Sequence, residues 1–307
     1  MSLPSASAWR LRVPASSANL GPGFDALGLG LAVYLECRFR PATTLTITAS
    51  GRDVSEISTA EDNLIWQTAL AVARDCGATL APIELHIDNQ IPLGKGLGSS
   101  AAALTAGVLI ANQLLNLNWK PARILDEAAR LEGHPDNVAA AVLGSIVATA
   151  VDTGGTARAV RLNLPDNYRV GVVVPDFALA TKKSRGVLPS QYSKADVIFN
   201  IQRAALLMAA LATGSTSAFP TALEDRLHQP YRAPLVPGLE DILKLRAPGL
   251  LGCALSGAGP SVLVFYERGS EEVCDLVRQI FAHAGRQAEV ILASVAQDGC
   301  TVEAITW

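Results

Sequence analysis

Three glycines at alternate positions, Gly94, Gly96 and Gly98, run directly into two hydroxyls, Ser99 and Ser100, within the stretch from Ile91 to Ala103. Ahead of them, Ile83 to Ile87 alternates apolar and polar residues as a half-buried strand does. Behind them an alanine-rich apolar run continues to about Asn116 and reads as a helix. Glycine reaches positive φ at little steric cost and lets the backbone approach an anion closely. A helix start offers unpaired N–H groups and the positive end of its dipole. Strand, glycine loop and helix start together make a phosphate site. A plain helix entry with Ser99 or Ser100 as N-cap is the simpler alternative, but it needs no spaced glycines. The Walker and dinucleotide fingerprints fail on spacing: Gly94-Lys95 is followed by glycine rather than Ser or Thr, and no G-x-G-x-x-G fits here.

Four more stretches carry side chains capable of chemistry. Glu132-Gly133-His134-Pro135-Asp136-Asn137 crowds polar groups just before a small-residue apolar run. Taken alone, Asp136 or Asn137 reads as an N-cap and Glu132 as a solvated helix end. His134 is open to either a structural hydrogen bond or proton transfer, because its pKa lies near neutrality. Pro14 to Gly28 is dense in turn residues, with Asn19 and Asp25 as isolated polar side chains that could bond their own backbone. Thr181-Lys182-Lys183-Ser184-Arg185 packs three cations into four residues, and for the lysines a solvated helix face is the ordinary reading. In Ser256-Gly257-Ala258-Gly259-Pro260-Ser261 the glycines read as the tight turn of a strand-turn-strand.

The elements that must position these groups follow from periodicity and punctuation. Strands are expected at 9–15, around Val33 to Phe39 and Leu45 to Ala49, at 144–151, 158–162 and Arg169–Pro175, and at Val290–Ala293 and Thr301–Ile305. Helices are expected at Leu64–Cys76, stopped by Gly77, at Pro121–Leu131, Val197–Leu211, Leu239–Leu245 and Glu271–Ala284. Trp66 is expected in the core, with a nucleotide-facing place as the alternative. The length of 307 residues allows about two domains, each able to bury a core. The boundary is placed at Leu164-Pro165-Asp166-Asn167, giving 1–165 and 166–307. Only 17% of residues are charged, against roughly 25% in typical domains, and the net charge is −3 with no basic run. Nucleic acid, which needs clustered cations, is therefore not an expected partner. No signal peptide is read at the N-terminus. The uncharged run Gly96–Trp119 is too often interrupted by polar residues to span a membrane. Five scattered cysteines without a C-x-x-C fit free thiols in a reducing cytoplasm.

Pro92-Leu-Gly-Lys-Gly-Leu-Gly-Ser-Ser-Ala101 resembles the ATP loop of the GHMP kinases. The Asn19–Asp25 segment, Glu132-Gly-His-Pro-Asp-Asn-Val-Ala-Ala-Ala141, Thr181–Pro189 and the glycine turn at 257–259 resemble further motifs of that family, and of its homoserine kinase branch in particular. Ala140 departs from the pattern, which has proline there. The resemblance implies an α/β (α+β) protein of two domains: an ATP-binding unit resembling ribosomal protein S5 domain 2, then a ferredoxin-like unit. It implies transfer of the ATP γ-phosphoryl to the side-chain hydroxyl of L-homoserine for threonine biosynthesis. The alternatives are another small-molecule kinase of the same family and a non-catalytic ATP-binding regulator. It implies ATP contacts from Pro92, Leu93, Gly94, Lys95, Gly96, Leu97, Gly98, Ser99, Ser100 and Ala101, with Gly257 and Gly259. Glu132, with Ser100, would hold Mg²⁺. Asn19, Asp25, His134, Asn137, Thr181, Arg185 and Arg232 would hold the substrate. Two arginines and one aspartate are what an α-amino acid asks for: a carboxylate clamp and an ammonium partner. Asn137, Asp136 and Glu132 are the catalytic candidates. Some members use an aspartate near Asp136 as base, whereas homoserine kinases place an asparagine at the hydroxyl. The sequence does not fix the oligomeric state; members are often homodimers.

Overall fold

A computed structural model describes residues 8–165 and 167–307. The N-terminal seven residues, on which the signal-peptide reading rested, and Asp166 at the expected boundary lie outside the described residues. In chain order the strands are β1 (Ala8–Ala18), β2 (Leu27–Pro41), β3 (Thr46–Gly51), β4 (Ile83–Asn89), β5 (Ile146–Val151), β6 (Ala157–Leu162), β7 (Tyr168–Pro175), β8 (Leu250–Leu255), β9 (Val262–Glu267), β10 (Ala288–Ile291) and β11 (Thr301–Ile305). The helices are α1 (Leu64–Asp75), α2 (Ser99–Leu114), α3 (Pro121–Glu132), α4 (Asp136–Leu143), α5 (Thr181–Gly186), α6 (Lys194–Thr213), α7 (Gln229–Arg232), α8 (Leu239–Lys244) and α9 (Val273–His283).

The first sheet runs β11-β1-β2-β4-β3, with β5 paired to β2 and β6 to β5. Along β4 the apolar residues Ile83, Leu85 and Ile87 are buried and the polar ones between them half-buried, the period of two that the sequence showed. The second sheet runs β10-β7-β9-β8, all antiparallel. Counted from β7 this is the order 4-1-3-2, with helices after its first and third strands, which is the ferredoxin-like arrangement. The two sheets share a core. A large apolar cluster runs from Leu11 and Phe39 through Val108 to Val170, Val172 and Phe265, while Val173, on the opposite face of β7, joins a smaller cluster with Val264 and Phe281.

Local chemistry explains most boundaries. Asn63 caps α1 by accepting from the N–H groups of Ile65 and Trp66, and Trp66 is buried in the core. Pro121 opens α3 and Gly133, at φ +90°, closes it. Two helix starts differ from the simple capping alternatives. The N-cap of α2 is Gly98 rather than a serine, and no side chain caps it. The N-cap of α4 is Pro135; Asp136 is its first residue, and its Oδ1 accepts from the Asn137 N–H at 2.7 Å.

The last strand also departs from a simple split of the chain. β11 crosses back and pairs antiparallel with β1, from Ala8↔Ile305 to Arg12↔Thr301. It covers an edge that would otherwise expose unpaired backbone groups. Among the described helices, α6 alone is long and apolar enough to cross a membrane by length and composition. It leaves Val197, Ile198, Ile201 and Leu206 exposed.

Candidate active site

The chemistry-bearing stretches converge on one cleft of about 350 Å³. Its wall contains Gly94, Gly96, Gly98, Ser99 and Ser100 from the loop, and Gly257 and Gly259 from the β8–β9 turn. It also contains Asn19, Asp25, Glu132, His134, Asp136, Asn137, Thr181, Arg185 and Arg232. The other expected ATP contacts lie off this wall. Leu97 and Ala101 are buried in the core. The Leu93 N–H donates to Asp53 Oδ2 at 2.9 Å. The Lys95 ammonium donates to the Pro175 carbonyl at 3.0 Å, and with Pro92 it faces a separate groove beside Asp53 and Asp176. Its pKa is lowered by burial against the pull of those carboxylates. Leu93 instead joins Ser99 and Ser100 in an adjoining, mainly apolar hollow of about 380 Å³ with Ile57, Asn63, Leu64 and Ala103.

The glycine loop is held by the turn that follows β8. Gly94, Gly96 and Gly98 all have positive φ (65°, 80° and 68°). A Cβ on Gly96 would lie 2.4 Å from the Ser256 carbonyl oxygen. The Ser256 hydroxyl lies 2.7 Å from the Gly96 carbonyl, the Ser261 N–H donates to Lys95 O, and the Gly257 N–H donates to Ala18 O. The turn is thus a hairpin and a splint at once. With α2 uncapped by any side chain, its first N–H groups are available to an anion.

At the other end Arg185 and Asp25 form a two-pronged ion pair, Nη2–Oδ1 2.7 Å and Nη1–Oδ2 3.1 Å, each side chain about one third exposed (36% and 35%). Arg232 is 1% exposed. Its pKa is lowered to about 10 by burial and by the neighbouring charge of Arg185. Phe24 lies against both guanidiniums, 5.6 Å from Arg185 Cζ and 5.3 Å from Arg232 Cζ. The groups expected to meet an ammonium and a carboxylate therefore meet each other. A zwitterion can replace them like for like, without changing the net charge of the cleft.

Between the two ends lie the groups nearest the expected chemistry. Ser100 Oγ donates to Glu132 Oε2 at 3.0 Å. Burial raises the Glu132 pKa, against the charge of His134 and the Ser100 bond. Asp136, its Oδ1 3.6 Å from His134 Nδ1, raises the His134 pKa against the effect of burial. Asn137 Oδ1 accepts from Ser16 Oγ at 2.8 Å, so its Nδ2 is the end left for a substrate oxygen. Asn19, expected to contact the substrate, is on the cleft wall with both ends of its amide engaged. Its Nδ2 donates to Gly257 O (2.9 Å), its Oδ1 accepts from the Asp25 N–H (3.0 Å), and it is 3% exposed. It ties two loops together. Phe24, Ser16 and His228 were not singled out in the sequence; the four-residue spacing of His228 and Arg232, which puts them on one helical face, was the available signal.

A family model described as GHMP kinases N terminal domain matches residues 63–145, and one described as GHMP kinases C terminal matches residues 207–283. The chain is 66% identical to a homoserine kinase of Solibacter usitatus, over 97% of this chain and 98% of that one. It is 47% identical to a homoserine kinase of Deinococcus radiodurans, over 88% of each. Among solved structures, a homoserine kinase from Cytophaga hutchinsonii superposes with a TM-score of 0.82 at 27% identity, covering 99% of both chains. A galactokinase of Lactococcus lactis, at 14% identity and a TM-score of 0.66, shares the fold.

Proposed function

We propose, from the premise that the chain belongs to the homoserine kinases of the GHMP kinase family, that its cleft seats ATP and L-homoserine end to end. The chain is a phosphotransferase that uses ATP to make O-phospho-L-homoserine, a step of threonine biosynthesis. One observation carries the site reading: the glycine loop and the Asp25, Arg185 and Arg232 group line the same cleft.

The loop glycines and the start of α2 hold the phosphates, and the hollow sharing Ser99 and Ser100 takes the nucleoside end. Asp25 holds the substrate ammonium, and Arg185 with Arg232 holds its carboxylate. Asn137 Nδ2 and His134 orient the hydroxyl. A bond forms from that oxygen to the γ-phosphorus, the bridging oxygen bond breaks and ADP leaves with its electron pair, and the hydroxyl proton passes to an oxygen of the transferred phosphoryl group and on to solvent. Such transfer rests mostly on positioning and charge neutralisation.

The residues present fit Mg²⁺. The Ser100–Glu132 pair offers hard oxygen donors beside the phosphate loop, and the Glu132 carboxylate is one that burial makes costly to ionise without a cation. Among the described residues no three His, Cys, Asp or Glu side chains gather as a dedicated site, as suits an ion bound mainly through nucleotide phosphates. When bound, Mg²⁺ neutralises charge on those phosphates.

Asp136 is not needed as a base in this reading, since the transfer rests mostly on positioning and charge neutralisation. Asp136→Asn is expected to keep kcat within about tenfold of the parent, the low end of what a general base supplies being about a hundredfold. Steady-state assay decides between the two roles. A cytoplasmic protein that binds neither nucleic acid nor membrane completes the proposal, supported by the charge of −3 and five free thiols; the homodimer that the resemblance implies is checked by light scattering.

The test of the function is ADP release with Mg²⁺ against L-homoserine, L-serine, L-threonine, mevalonate and galactose. Turnover on homoserine is expected, with KM for it raised roughly ten- to a hundredfold in Arg185→Ala, the range for a lost hydrogen bond to a charged group. Turnover on mevalonate or galactose would overturn the pocket reading, and ATP binding without turnover would point to a regulator.

A further inference from the structure

The two arginines of the cleft are held in opposite ways. Arg185 is paired with a carboxylate, Asp25. Arg232 has no carboxylate within ion-pair distance among the described residues: Nε donates to Ser184 O (3.2 Å), Nη1 to Gly257 O (3.0 Å), and Nη1 also faces His228 Nδ1 at 3.2 Å. Nη2 is the edge left without a protein partner among the described residues, on a side chain that lines the cleft.

We infer that His228 is a positioning residue for recognition of the substrate carboxylate: as the neutral Nε2–H tautomer it accepts from Arg232 and aims an uncancelled positive charge at the cleft. The inference rests on the reading of Arg232 as a carboxylate partner. His228 is fully buried, and its Nε2 lies 2.7 Å from the Gly21 carbonyl. A carbonyl only accepts, so Nε2 carries the hydrogen. Nδ1 is then a lone pair facing a guanidinium donor. A protonated ring would set N–H against N–H. Burial and the Arg232 charge oppose protonation; Asp225, at 3.6 Å from Nε2, favours it. The Asp225 carboxylate is engaged by the N–H groups of Leu227, His228 and Gln229 and by Asn200 Nδ2. The ring also stacks on Phe24 at 5.2 Å, which fixes its plane beside both arginines. A carboxylate at 228 would hold Arg232 as firmly but cancel its charge, as Asp25 does for Arg185.

Two isosteres divide the ring's functions. His228→Asn places an amide oxygen near Nδ1 and keeps the acceptor. His228→Gln places an amide nitrogen near Nε2, keeping the donor to Gly21 and losing the acceptor. In the full-length enzyme with ATP and L-homoserine, His228→Gln is expected to raise KM for homoserine about tenfold. Its kcat and KM for ATP should stay within a few-fold. His228→Asn should restore most of the homoserine KM, because Asn19 and Asn200 still anchor the Gly21 loop. Both should melt lower by similar amounts, each having lost one buried hydrogen bond. Arg232→Ala is run beside them. If it leaves KM unmoved, the reading of Arg232 fails. If it raises KM while His228→Gln does not, or if the Asn and Gln variants match, the positioning inference is overturned and the reading of Arg232 stands. Nitrogen NMR of the wild-type ring needs no variant: Nε2 should be protonated and Nδ1 bare from about pH 6 to 8, and an Nδ1–H tautomer or an imidazolium there would overturn the inference.

Discussion

Exchanging Glu132 for Gln lowers kcat about a hundred- to a thousandfold, the scale of a lost electrostatic partner in the transition state, and leaves KM for L-homoserine within a few-fold. The protein does not melt lower at neutral pH without Mg²⁺. The two halves of this expectation come from one observation. Burial raises the Glu132 pKa, and the Ser100 hydroxyl and His134 offset that only in part. In the folded chain without a cation, the ionised carboxylate is therefore the strained form. Gln keeps an oxygen for the Ser100 hydroxyl, which donates at 3.0 Å, and removes the charge that burial penalises. The loss belongs to charge neutralisation at the phosphates, so it appears in kcat and in the requirement for Mg²⁺ rather than in homoserine binding. Enzyme assays over a Mg²⁺ series, with calorimetric melting in parallel, separate the outcomes. A kcat within tenfold of the parent would remove Glu132 from the metal role. A large fall in Tm would make it structural.

How much of this was legible in the sequence depended on the reach of each signal. The phosphate loop was legible because its cause is local: three backbone positions need positive φ, and glycine supplies it. The clusters at 132–137 and 181–185 were legible for the same reason. The direction of Lys95 was not, because its acceptor, Pro175 O, lies 80 residues away across the sheet junction. For Asn19 the turn reading held locally, in the N–H six residues on, but its second partner, the carbonyl of Gly257 238 residues away, was not legible; the substrate role came from the resemblance alone. Asp25 and Arg185 were each legible as a ligand group, but their mutual pairing across 160 residues was not. The return of β11 to β1 has the same origin, since a short strand with three of its five residues exposed carries no mark of the edge it will cover.

The glycine signal also has a sharp mechanical consequence at Gly98. Gly98→Ala is expected to lower stability by roughly 2 to 5 kcal/mol, combining left-handed strain with displacement of a buried hydroxyl. It should lower kcat/KM about a hundredfold, as a misplacement near 1 Å can. At φ +68° an added Cβ would lie 1.9 Å from Ser16 Oγ and 3.1 Å from Asn137 Oδ1. Ser16 cannot retreat. It is fully buried in β1, its N–H donates to Leu97 O, and its hydroxyl donates to Asn137 Oδ1 at 2.8 Å. One methyl group therefore separates the pair that holds Asn137 and shifts the start of α2. Gly155→Ala is the control. It also has positive φ, 82°, but a Cβ there meets nothing within 4 Å, so it should cost only the strain of about 1 kcal/mol and spare activity. Equal melting and activity in the two variants would show that strain alone governs Gly98. Ser16→Ala in the Gly98→Ala background removes the 1.9 Å contact but leaves the Ser16 Cβ at 3.2 Å. The double variant should recover part of the Tm while kcat/KM stays low, because Asn137 has still lost the donor that holds it. That non-additivity separates the clash from the catalytic positioning it disturbs.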